Sequence, residues 1–147
     1  MDKINRGLSL HYVTRGARSV PKECWQNALS TLLTFPELAG GVYVEGYTVL
    51  GGFGYFIEHG WIESGGQIID TTPAFLYDPA NIYFPGVRLK LSDARRIVRL
   101  PLPRNRFEHS ATMRAAYYAA QDYIGGLKCQ TYLKMGEFEG EKESPWF

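Results

Sequence analysis

Residues 55–73 read YFIEHGWIESGGQIIDTTP, and the fold is decided there. Two runs rich in aromatic and β-branched residues, Tyr55 to Glu63 and Gln67 to Thr71, flank Ser64-Gly65-Gly66. Glycines between such runs are a β-hairpin signature. Pro73 closes the second run, since a proline has no N–H to give to a ladder. Strand, turn and strand put His59 and Asp70 on adjacent antiparallel strands, roughly level across the hairpin and able to meet when they share a face. A carboxylate in that position can accept the imidazole N–H, fix its tautomer and stabilise the imidazolium.

Working outward, Val42–Leu50 is again β-branched and aromatic and predicts a strand, with Gly51-Gly52-Phe53-Gly54 as the turn into Tyr55. That glycine cluster has no following helix and no Gly-Lys-Ser or Gly-Lys-Thr, so it reads as a hairpin turn and not as a phosphate loop. Upstream, CWQNALSTLL (residues 24–33) predicts a helix whose apolar stripe is Ala28, Leu29, Leu32 and Leu33. Ser19 is the expected cap, Pro21 suits the first turn, and Pro36 with Gly40-Gly41 marks the end. Cys24 then falls near the positive end of the helix.

Downstream, residues 75–85 predict irregular structure, a flap or a short strand, and Val87–Leu91 and Ile97–Leu100 predict strand segments separated by residues 92–96 and stopped by Pro101 and Pro103. Ser110–Ile124 predicts a helix capped by Gly125-Gly126. The N-terminal residues read as a polar lead-in. The expected fold class is α+β, with the Cys-bearing helix packed on an antiparallel sheet. One domain is expected over residues 1–135, followed by an acidic, solvated tail at 136–147.

With 147 residues, of which 45% are hydrophobic and 14% aromatic, the chain can bury one substantial core. Sixteen Lys and Arg against fifteen Asp and Glu leave a formal charge of +1, which by itself marks neither a nucleic-acid binder nor a polyanionic tail protein. No segment reaches about 18 uninterrupted apolar residues and no cleavable leader is evident, so a cytoplasmic chain without a membrane partner is expected. The two cysteines need not pair. Cys24 is expected as a free thiol and Cys129 as a packing residue.

A thiol nucleophile needs an imidazole base, and the imidazole needs a carboxylate to hold it; Cys24, His59 and Asp70 supply all three. At a helix N-terminus beside an imidazolium, two positive potentials favour a thiolate. Asp70, in an otherwise apolar strand, calls for a partner, because an unpaired buried carboxylate is costly.

Cys24-Trp25 followed by an Ala-Leu helix, then Val44-Glu45-Gly46-Tyr47, His59-Gly60-Trp61-Ile62-Glu63 and Ile69-Asp70-Thr71-Thr72, resembles the core of the transglutaminase-like branch of papain-fold cysteine enzymes. The resemblance covers residues 20–73. It implies a papain-like core in which a helix presents the nucleophile Cys24 and a following sheet presents His59 and Asp70. It also implies a thioester intermediate and no cofactor. Papain-like proteases carry a glutamine several residues before the cysteine as an oxyanion donor, whereas Arg18 stands six residues before Cys24 and Gln26 follows it. The backbone N–H of Cys24 is the first expected donor, with Trp25, Gln26 and Asn27 as candidates for the second.

Trp25, Gln26, Glu45, Tyr47 and Trp61 are candidate substrate-contacting residues; for both tryptophans core packing competes, and for Glu45 an exposed place on an aromatic strand face. His11 and His109 lack a paired ligand spacing, so no metal site is expected. Seven basic residues between Arg88 and Arg106 face one acid, Asp93. They offer a weaker case for nucleic-acid contact, or the wet face of a sheet. The expected function is a cysteine-dependent amide or peptide hydrolase, or an acyltransferase, acting on a peptide, protein or small amide. A catalytically silent papain-fold binding module is the alternative. Oligomeric state is not legible in the sequence.

Overall fold

The computed structural model describes residues 3–51, 54–76, 80–97, 107 and 110–126. The expectations for Cys129, residues 98–100, Pro101, Pro103, Arg99, Arg104, Arg106, His109 and the acidic tail lie outside them.

The described chain is α+β. Four antiparallel strands, β1 (Val42–Leu50), β2 (Tyr55–Ser64), β3 (Gln67–Ile69) and β4 (Ile82–Lys90), form one sheet in the order β3-β2-β1-β4. Five helices accompany them: α1 (Arg6–Thr14), α2 (Cys24–Thr34), the single turn α3 (Pro73–Leu76), α4 (Leu91–Ile97) and α5 (Ala111–Gly126). The β2–β3 turn places Gly65 at φ +57° and Gly66 at φ +74°. Two left-handed residues in succession match the twist of a two-residue hairpin, which is why both are glycine.

Register fixes what each face carries, because directly opposed residues of an antiparallel pair point the same way. Tyr43 lies opposite Ile62, Glu45 opposite Gly60 and Val49 opposite Phe56. This face takes α2, through the cluster of Leu29, Leu32, Tyr43 and Ile62, and α5, through Val49, Phe56, Ala120 and Ile124. Val44 opposite Trp61 and Gly46 opposite His59 belong to the other face, where Val44, Trp61, Ile68 and Tyr83 cluster.

Several elements differ from the sequence expectations. Residues 6–14 form a helix: Asn5 Oδ1 accepts from Leu8 N at 2.9 Å, and Tyr12 is buried edge-on against Phe35. Ser19 does not cap α2; its hydroxyl donates to the Thr71 carbonyl at 2.5 Å, and α2 starts after Glu23 with no side-chain cap. β3 ends at Ile69, so Asp70 stands just past the strand. β4 begins at Ile82, inside the stretch expected as irregular structure, a flap or a short strand, and residues 91–97 are helical. Pro85 is tolerated because β4 is an edge strand and carries a bulge there, with Gly46 opposite Pro85 but Glu45 opposite Val87. Gly125 and Gly126 lie within α5.

Candidate active site

β3 pairs with only Ile62, Glu63 and Ser64 of β2. Below that level the chain leaves the sheet, and the start of α2 comes in against β2. The point of contact is Gly60, where a Cβ would stand 2.7 Å from Trp25 Cδ1 and 3.4 Å from Trp25 Cα. A bare glycine at this position therefore lets the first turn of α2, which carries Cys24, sit close on β2.

The lead-in to α2 is laced to the segment after Asp70. Thr71 Oγ1 donates to the Arg18 carbonyl at 2.7 Å, and the Asn27 amide bonds the Val20 carbonyl at 2.8 Å and Thr72 Oγ1 at 3.0 Å. Asn27 Oδ1 in turn accepts from Val20 N at 3.0 Å. Both N–H groups of the buried Asn27 amide are thus engaged, so it acts as a strut and is withdrawn as an oxyanion donor. Gln26 is exposed and Trp25 half-buried beside Cys24.

His59 is fully buried and Asp70 is 2% exposed. With Ile62 opposite Ile69, Asp70 is diagonal to His59 and not level with it, yet on the same face. The diagonal is spanned by a hydrogen bond of 2.6 Å between His59 Nε2 and Asp70 Oδ2. An ionised carboxylate only accepts, so Nε2 carries a proton, and Nδ1 is the nitrogen that gains or loses one as the ring passes between imidazolium and imidazole. Asp70 Oδ2 also accepts from the Tyr83 hydroxyl at 2.7 Å, while Oδ1 accepts from Thr72 N at 3.0 Å. The Asp70 N–H goes to Ser9 Oγ of α1 at 3.0 Å. Phe75 lies flat on the imidazole, with ring centroids 3.6 Å apart and an interplanar angle of 19°.

Burial by itself depresses the basicity of His59. The charge of Asp70, then that of Cys24, together with hydrogen bonding to both, outweighs it and raises the pKa from 6.5 to about 9. Nδ1 has no hydrogen-bond partner of regular geometry among the described residues, and Cys24 is near enough for its charge to act on the ring. Cys24 itself is half-buried.

The remaining substrate-contacting candidates separate by burial. Trp61 and Glu45 are fully buried: Trp61 packs edge-on against Tyr83, and Glu45 accepts a hydrogen bond from Tyr43 beneath the seat of α2. Neither offers a surface to substrate, which corrects the expectation for both. Tyr47 packs edge-on to Phe56 and Tyr117 in the cluster under α5. Sequence reasoning missed Ser9, Phe75 and Tyr83. In the basic segment, Arg88 pairs with Glu63 at 2.8 Å and Arg96 lies 3.7 Å from Asp93, while Arg95 is exposed. Among the described residues no helix is long and apolar enough to cross a membrane.

The role of Gly60 leads to a measurable expectation. Gly60→Ala forces Trp25 and the first turn of α2 off β2, an overpacking that is expected to cost about 1–3 kcal/mol in urea melts. Displacing the sulfur from the ring by a fraction of an ångström to an ångström is expected to slow alkylation of Cys24 by about 10–100-fold near neutral pH. Wild-type alkylation in a folded Gly60→Ala protein would contradict the seating argument.

Set against protein-family models, curated proteins and solved structures, the chain matches none.

Proposed function

We propose that the protein is a cysteine-dependent amide or peptide hydrolase, or a transglutaminase-like acyltransferase, built on a papain-like core. The observation that carries this reading is the buried 2.6 Å bond from His59 Nε2 to Asp70 Oδ2, which leaves Nδ1 as the ring atom available to a thiol at the start of α2. The proton of the Cys24 thiol passes to Nδ1 before attack, where a ring whose pKa is raised to about 9 holds it near neutral pH, and the sulfur then attacks the carbonyl carbon. As the tetrahedral species collapses, the C–N bond breaks and the imidazolium returns that proton to the departing amine. The thioester on Cys24 is then cleaved by water, or by a second amine in acyl transfer. The uncapped first turn of α2 supports a role for the Cys24 amide in stabilising the oxyanion. The substrate class is a peptide, protein side chain or small amide, and hydrolysis is the first expectation.

Iodoacetamide labelling followed by intact mass tests the reactive pair. Cys24 is expected to alkylate faster than a free thiol below about pH 7 and to lose that advantage in His59→Ala, by about 10²-fold or more. Equal, ordinary rates in both proteins would identify a thiol that does no chemistry and leave a binding module. An activated ester separates the two outcomes of the thioester: a burst with an acyl mass on Cys24 is expected, and acceleration of its decay by a primary amine marks a transferase.

A further inference from the structure

We propose that Tyr83 is a positioning residue of the same site, its hydroxyl holding Asp70 Oδ2 and setting how tightly the Asp70–His59 dyad keeps its proton. This rests on the reading of Cys24, His59 and Asp70 as one catalytic unit. Asp70 Oδ2 receives two donors at nearly equal range, His59 Nε2 at 2.6 Å and the Tyr83 hydroxyl at 2.7 Å. They converge from β2 and β4, with β1 between them. On this face β1 offers Gly46 opposite His59 and Thr48 opposite Tyr83, and at Gly46 a Cβ would stand 2.2 Å from the Phe84 carbonyl oxygen and 2.8 Å from the Trp61 ring.

Tyr83 is 2% exposed, and its ring meets Trp61 edge-on at 5.0 Å. A phenylalanine would fill that volume equally well. The hydroxyl is a polar group in a core, where a hydrogen bond offsets its burial, and Asp70 Oδ2 accepts one from it.

Among the described residues, Trp61 and the Thr72 amide also meet the dyad. Cys24 comes from α2, Ser9 from α1 and the uncharged Phe75 from α3, while strand alternation puts Glu45 and Glu58 on the opposite face. With the ring protonated, the dyad is an internal ion pair and needs the hydroxyl little. With the ring neutral, a buried carboxylate remains and the hydroxyl stabilises it. Tyr83 therefore favours release of the proton, and removing its hydroxyl raises the midpoint.

The test is a histidine NMR titration of the full chain, with the His59 resonance identified by its loss in His59→Gln. The wild-type midpoint is expected near about 9. Tyr83→Phe is expected to raise it by about one unit, since a hydrogen bond to a charged group is worth that much. Replacing Tyr83 by 3-fluorotyrosine, nearly isosteric and a stronger donor, is expected to lower it by a few tenths of a unit, and this arm decides the question if Tyr83→Phe does not fold. Asp70→Asn is the reference and is expected to bring the midpoint below its ordinary 6.5. A packing role alone for Tyr83 would lower the melting temperature and leave the midpoint in place. An Asp70→Asn shift without either Tyr83 shift overturns the inference and spares the catalytic reading, whereas no shift in Asp70→Asn removes the dyad on which both stand.

Discussion

Asp70→Asn is expected to lower Cys24 acylation on the order of 10³–10⁴-fold while leaving a folded protein. The loss follows from the tautomer. An asparagine amide turned toward His59 Nε2 presents N–H where the carboxylate presented a lone pair, so the ring keeps its proton on Nδ1, the atom that must receive one from Cys24. Turning the amide over restores an acceptor for Nε2 but brings no charge to hold the imidazolium. Burst kinetics with an activated ester would read the loss, and a variant within tenfold of wild type would show that the carboxylate does not govern the imidazole.

The same substitution has a signature in stability. The folded pKa of His59 is raised from 6.5 to about 9. Its protonation therefore contributes stability that is fully present below about 6.5 and is lost as pH rises through about 9. In Asp70→Asn the desolvation of the ring is left with only the Cys24 contribution against it, so the variant is expected to be worst off under mildly acidic conditions. Urea melts should show a wild-type advantage larger at about pH 6 than at about pH 10, by on the order of 3 kcal/mol. A gap independent of pH would place the contribution of Asp70 in packing instead of charge.

What could be read in the sequence was local. The limits of β1 and β2 followed from β-branched runs broken by glycine, and the end of α2 from an apolar stripe stopped by Pro36. The hairpin that brings Asp70 to His59 was legible, but its register was not: Ser64 belongs to β2 and the turn is Gly65-Gly66, so Asp70 falls just past β3 and diagonal to His59. β4 was harder: Tyr83, Phe84 and Pro85 sit beside an Asp-Pro and a Gly, and only a bulge opposite Gly46 on an edge strand makes a proline acceptable there. α1 was hidden because its apolar residues, Leu8, Leu10, Tyr12 and Val13, are not confined to one helical face, although Asn5 ahead of Leu8 was a usable cap signal. Ser9, Phe75 and Tyr83 reach the site from three separate elements, and which of them meet Asp70 or His59 depends on how those elements stack. Gly60 is the instructive intermediate case. Its place beside His59 is plain in the sequence, but the reason for a glycine there appears only once Trp25 lies against it.

Phe75→Ala is expected to lose about 3–5 kcal/mol of unfolding free energy, as for other buried aromatic truncations, and to slow Cys24 alkylation about tenfold or more. Phe75 is 1% exposed and packs with Leu50 and Ile57, so the truncation opens a cavity where the structure has little freedom to collapse. The kinetic effect has a separate origin. The ring lies 3.6 Å from the imidazole and nearly parallel to it, which blocks rotation about the His59 side chain and puts a π-face against a ring that works as a cation. With that face gone, Nδ1 samples orientations away from the sulfur, although the Asp70 bond survives. Phe75→Leu separates the two contributions: it refills most of the cavity and is expected to cost less than about 1.5–2 kcal/mol, yet it supplies no flat surface, so alkylation should remain slowed. If Phe75→Leu recovers both stability and wild-type alkylation, the stacked ring serves only to fill space, and the orientation of His59 is set by Asp70 alone.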